Sequence, residues 1–257
     1  MVTTSPASTA SRRRGPGWVP REHGAWAMLV VPVVVGAVIA GATWRHALLL
    51  ITWLVAYLAF HTTGLWLKAS RRPRYLPPVR AYGVSVVVLG TALVASDPAL
   101  LRWAPVYLGL LAVSWWCSAR RADRSWLNDA VTVVAASLMT VVSAGLGIPT
   151  TPAGAWPAAA VLGAYFLGTV PYVKTLIRER GRRSVLIVSV GYHSALLAAA
   201  VAIALLGGPL SLVVLAAGLL ARAVLVPRRR PWPSAKAIGL GEIAATAAVT
   251  VVVLTLV

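Results

Sequence analysis

The residues of this 257-residue chain best able to do chemistry are ionisable groups set among apolar ones. Tyr57, His61, Gly64 and Lys68 recur at i, i+4, i+7 and i+11, so on a helix they share one face. His193 lies in VSVGYHSALL and Glu242 in IGLGEIAAT, both apolar settings. An ionisable group at membrane depth is costly and by default marks a function. The densest run is YFLGTVPYVKTLIRERGRR, residues 165–183. Pro171 there predicts a kink and a freed backbone carbonyl. Lys174 and Arg178 follow one turn apart, with Tyr172 and Glu179 beside them. Two cations at that spacing repel unless an anion or carboxylate lies between them, and an arginine fork suits either.

In SWLNDA, Ser125 and Asn128 are candidate helix caps and Asp129 suits a helix N-terminus through the dipole. His23 and Lys236 complete the ligand-binding candidates, and Lys236, Lys174 or Arg178 are the candidate partners of Glu242. Each candidate has an ordinary alternative: a histidine bonded to a neighbouring helix, a cation snorkelling to lipid phosphate, a helix cap. His46 reads as interfacial. There is no Cys/His metal spacing, P-loop, dinucleotide fingerprint or nucleophile elbow, and no carboxylate cluster spaced for magnesium. The expected cofactor and metal content is therefore none, and no reaction is fixed.

The elements that must position these groups follow from composition. The chain is 59% hydrophobic and 12% charged, with a mean hydropathy of +0.80. A soluble domain is about half apolar and about a quarter charged. The expected fold is an all-α, polytopic transmembrane bundle. Nine runs approach the ~20 residues a spanning helix needs: roughly 24–42, 46–67, 81–96, 100–118, 126–147, 155–174, 184–206, 209–226 and 237–257. The third and fourth are the weakest. The seventh and eighth are joined by Gly207-Gly208-Pro209, which makes them antiparallel neighbours.

A net charge of +18 would suit a nucleic-acid binder. Here, however, with Lys174 and Arg222 at the ends of the sixth and eighth runs counted with the loops that follow them, 22 of the 24 basic residues fall before the first run or after the second, fourth, sixth and eighth. The alternate loops hold only Arg45 and Arg102. That sorting places the N-terminus in the cytoplasm and the C-terminus outside, and excludes nucleic acid as the partner. Residues 1–20, rich in Ser, Thr, Pro and Arg, read as a disordered basic cytoplasmic tail, and 21–257 as a single transmembrane domain. The first run, about 18 residues long, reads as a retained span and not a cleaved signal.

PREHGAW (20–26), RRPRYLPP (71–78), RSWLND (124–129) and YFLGTVPYVKTLIRERG (165–181) resemble the YwiC-like family of bacterial membrane proteins. The resemblance runs from about Pro20 to Glu242 and implies a multi-pass protein of the bacterial cytoplasmic membrane, without implying a mechanism. In topology the chain is more distantly similar to UbiA-type intramembrane prenyltransferases. Those enzymes hold a prenyl diphosphate through magnesium, using Asp-rich motifs at the ends of spans two and six. The corresponding stretches here, HTTGLWLKASRRPRYLPP and YVKTLIRERGRR, lack the aspartates and carry His61, Lys68, Lys174 and Arg178 instead. These readings converge on a cytoplasm-facing polar, basic cavity for an anionic or isoprenoid lipid ligand in the bilayer. A small proton-coupled transporter relaying through His61, His193 and Glu242, and a non-catalytic scaffold, are the alternatives.

Overall fold

The computed structural model describes residues 17–20 and 25–257, so His23 and most of the expected tail lie outside the described residues. Among the described residues the chain is all helical. Its long elements are α1 (Ala25–Ala40), α2 (Trp44–Lys68), α3 (Leu76–Ser96), α4 (Ala104–Ala119), α5 (Trp126–Ala144), α6 (Ala155–Val173), α7 (Arg183–Leu205), α8 (Leu210–Leu225) and α9 (Ala235–Leu254). Eight of these, with their flanking turns, are long and apolar enough to cross a membrane. The ninth, α1, has 16 described residues. Its Leu29, Val33 and Val35 are buried in the bundle.

Prolines set several boundaries. α3 begins at Leu76, well before the expected residue 81, because Pro77 and Pro78 occupy its first turn. A proline there lacks only an N–H that has no intrahelical partner anyway. The weak third and fourth runs both form helices, joined by a 3-10 turn over Pro98–Trp103 that Asp97 caps by accepting from Ala99 N–H at 3.1 Å. After Pro171, which lies within α6, the chain widens into a π-turn over Lys174–Arg178.

The core lies between α1, α5, α6 and α9, where Val35, Val133, Leu162, Phe166, Val249 and Val253 interlock. α1 and α5 approach backbone to backbone. A Cβ on Gly36 would collide with the Thr140 carbonyl and stand 2.6 Å from Ser143 Cβ. In return, Ser143 donates its hydroxyl to the Val33 carbonyl at 2.7 Å. Residues 17–20 lie against the α2–α3 pair, with the Trp18 carbonyl accepting from Tyr82 Oη at 3.1 Å.

The two ends of the bundle differ in chemistry. The loops after α2, α4 and α6 meet at one end, as the ion pairs Lys68–Asp123 and Lys174–Asp129 show. The loops after α1, α3 and α5 meet at the other. There Asp97 Oδ2 accepts from Gly147 N–H at 2.7 Å, and Gly147, at φ +75°, leaves room for Arg45 above it. His46, in the first turn of α2, is 5% exposed. Its Nδ1 accepts from Thr43 N–H at 3.0 Å, so Nε2 carries the proton donated to the Ser143 carbonyl at 3.1 Å.

Gly36→Ala is expected to cost about 1–3 kcal/mol by overpacking. Gly109→Ala, in open space, should be neutral or stabilising. Thermal unfolding of the two variants in detergent measures the difference, and equal midpoints would remove the close α1–α5 contact.

Candidate functional site

The basic end holds three polar clusters. In the first, Lys68 Nζ meets Asp123 Oδ1 at 2.8 Å, and the Ser118 hydroxyl donates to the same carboxylate at 2.6 Å. Partial burial pushes the Asp123 pKa up, but the Lys68 and Ser118 hydrogen bonds and the lysine charge outweigh it and hold the carboxyl below its ordinary value. Lys68 and Gly64 share the expected α2 face. That face turns toward α4, where a Cβ on Gly64 would stand 3.7 Å from Ser118 Oγ. His61, half-buried, and Tyr57 lie on the same helix, and the Tyr57 ring is edge-on to Trp26 at 6.1 Å.

The second cluster is built on the start of α5. Ser125 caps the helix, accepting from Asn128 N–H at 3.2 Å. Buried Asn128 accepts from the Ser114 hydroxyl at 2.5 Å and donates to the Asp123 carbonyl at 2.8 Å, which ties α4, the loop and α5 together. The next residue, Asp129, receives Lys174 Nζ at 2.6 Å. Lys174 is 6% exposed, and its ammonium sits 3.8 Å from the Trp126 ring centroid. A carboxylate, not an added anion, therefore answers the Lys174 charge. The π-turn also divides the face expected to carry both cations, because Lys174 is buried and Arg178 exposed. Glu179 is occupied by Arg182 at 2.6 Å in an exposed pair of small energetic weight.

The third cluster lies deeper, between α6, α8 and α9. Glu242 Oε1 accepts from Arg222 Nη1 at 2.6 Å, and the guanidinium covers the Tyr172 ring at 4.2 Å. Arg222 is thus the partner of Glu242. Lys236 lies exposed in the first turn of α9, and Lys174 is committed to Asp129. One turn further in, Tyr165 Oη and Thr246 Oγ1 are 2.9 Å apart. His193, 1% exposed, donates Nδ1–H to the Ser189 carbonyl at 2.7 Å. Its ring abuts α6 where Gly168 leaves space, since a Cβ there would stand 3.2 Å from Nε2.

The structure thus joins Asn128, Asp129 and Lys174, and it joins Tyr172 with Glu242. It separates Lys236 from both groups. Arg222, Asp123 and Trp126 are not among the residues the sequence singles out. Arg222 carries a signal, an arginine within the apolar run LLARAVL, and it belongs to the last turn of α8, not to the loop beyond it. Among the described residues, no group of three or more His, Cys, Asp or Glu could hold a metal.

A groove of about 360 Å³ opens at the same end, between the π-turn, the start of α7 and the α8–α9 loop. Thr175, Arg182, Leu186, Arg228, Arg230 and Trp232 line it. Arg230 lies 4.1 Å and Arg180 5.2 Å from the Trp232 ring centroid.

Long apolar helices and a basic end laced with buried ion pairs define a multi-pass membrane protein. The family profile described as YwiC-like protein matches residues 19–144. The uncharacterized protein YwiC of Bacillus subtilis (strain 168) is 32% identical over 175 residues, covering 68% of this chain and 73% of the relative. An uncharacterized protein of Haemophilus influenzae (strain ATCC 51907 / DSM 11121 / KW20 / Rd) is 26% identical over 181 residues, covering 68% and 74%. No solved structure matches the chain. The chain belongs to the YwiC-like family.

Removing one member of a buried ion pair strands the other. Asp129→Asn and Lys174→Met are each expected to lower stability by about 3 kcal/mol, whereas the Asp129→Leu/Lys174→Met double variant should recover much of it. Unfolding in mixed detergent reads this coupling, and additive losses would contradict it.

Proposed function

We propose that the protein binds an anionic, lipid-like molecule at its basic end, and that this end faces the cytoplasm from the bacterial cytoplasmic membrane. The sorting of Lys and Arg to alternate loops supports the orientation. The groove carries the binding reading. Arg228 and Arg230 line it and neither meets a carboxylate among the described residues, so their charge is available to an incoming anion. Arginine forks match the paired oxygens of a phosphate. Trp232, an amphipathic ring suited to the headgroup level, forms one wall, and Leu186 supplies an apolar flank for a hydrocarbon chain. Lys174, central to the sequence expectation, serves here as a positioning residue: its pair with Asp129 holds the π-turn against α5, and Thr175 of that turn lines the groove.

Native mass spectrometry of protein released from its own membranes tests this. The wild type is expected to retain an anionic phospholipid or isoprenoid lipid that Arg228→Gln/Arg230→Gln loses. Equal retention by both would refute the reading.

A further inference from the structure

The Arg222–Glu242 centre has hydrogen-bonding capacity that its own pairing does not use. Arg222 spends Nη1 on Glu242 Oε1 and one guanidinium face on Tyr172. Its Nε and Nη2 are buried without an acceptor among the described residues, and Glu242 Oε2 is buried without a donor. Nε and Nη2 share one edge of the guanidinium, the edge that grips two oxygens side by side. Buried polar groups in native chains are seldom left unpaired, and a fork left open in the interior asks what fills it. The centre lies inward from the groove, with Arg222 six residues before Arg228 on the α8 side and Tyr172 three residues before Thr175 on the α6 side.

We propose that this centre is a second binding site, which takes the carboxylate or phosphate-type group of a small anion together with one proton on Glu242. The charge balance makes the two events one. Arg222 and Glu242 neutralise each other, so an added anion would leave a net negative charge in a low-dielectric interior. Protonating Glu242 restores neutrality. The proton comes from the medium as the anion enters and returns as it leaves, and the carboxyl O–H is the one covalent bond made or broken. The groups facing Glu242 suit this exchange. Arg222 approaches from α8, and the Thr169 and Tyr165 hydroxyls from α6. Tyr172 holds the guanidinium, with the charge of Arg229 also reaching its ring. His193, on α7, is within range of the Arg222 charge. None of these is a second carboxylate that would compete for the fork.

The site stands independently of the groove, and the test keeps the two apart. Purified protein in zwitterionic nanodiscs is titrated calorimetrically with acetate and with methanesulfonate, monoanions that do not themselves titrate between about pH 6 and 8. The wild type is expected to bind at least one of them, to take up one proton per anion, and to tighten as pH falls by up to about tenfold per pH unit. Glu242→Gln, a mimic of the protonated acid, should bind with the pH dependence lost. Arg222→Lys keeps the charge but loses the fork, and should weaken binding at least tenfold. Arg228→Gln/Arg230→Gln should leave it unchanged. If Arg222→Lys fails to fold, the Glu242→Gln profile decides alone. Phosphatidic acid added to the nanodisc competes with the probes if the group arrives on a lipid, and leaves them untouched if it arrives free. Absence of probe binding in both wild type and Glu242→Gln would overturn the proposal, and so would binding abolished by Arg228→Gln/Arg230→Gln.

Discussion

A charge that leaves water for hydrocarbon must find an opposite charge, an aromatic face or the bilayer surface, and this constraint organises the whole molecule. Three acids at the basic end show the solutions in order of depth. Asp123 keeps partial contact with solvent and takes Lys68. Asp129 takes a lysine that is almost fully buried and backed by an indole. Glu242, deeper still, takes Arg222, whose open face is covered by Tyr172. Each pair joins different segments of the chain, so neutralising the charge also fixes how the helices meet.

The opposite end has little charge to manage and uses short polar locks. His46 links the start of α2 to the end of α5, and Ser143 links α5 to α1. Asp97 caps one turn with one oxygen and holds Gly147 with the other. The apolar midsection between the ends depends on shape. Gly36 lets α1 and α5 touch, and Val35 of α1 joins the core.

What the sequence made legible follows from the range of each interaction. Helix number and type were readable because hydrophobic length is local. The sorting of basic loops was readable because it is a statement about sidedness. The placement of Lys68 and Gly64 on one α2 face was readable from helical periodicity. Partner choice was not, since it depends on which helices become neighbours: Glu242 had three plausible cations in sequence and took a fourth. The shared face of Lys174 and Arg178 failed for a related reason. After Pro171 the chain forms a π-turn, which changes the angular spacing of the residues that follow. The burial of His46, which bonds to the Ser143 carbonyl, likewise depends on which helices meet.

The central claim is that the cost of charge in lipid sorts the two ends to opposite sides of the membrane, with the basic end in the cytoplasm. In a Cys117→Ser background, single cysteines at exposed Thr150 and exposed Arg229 report the two ends. A membrane-impermeant maleimide applied to intact cells should label Thr150→Cys at once, and Arg229→Cys after lysis alone. Labelling of Arg229→Cys in intact cells, with Thr150→Cys protected, would contradict the account.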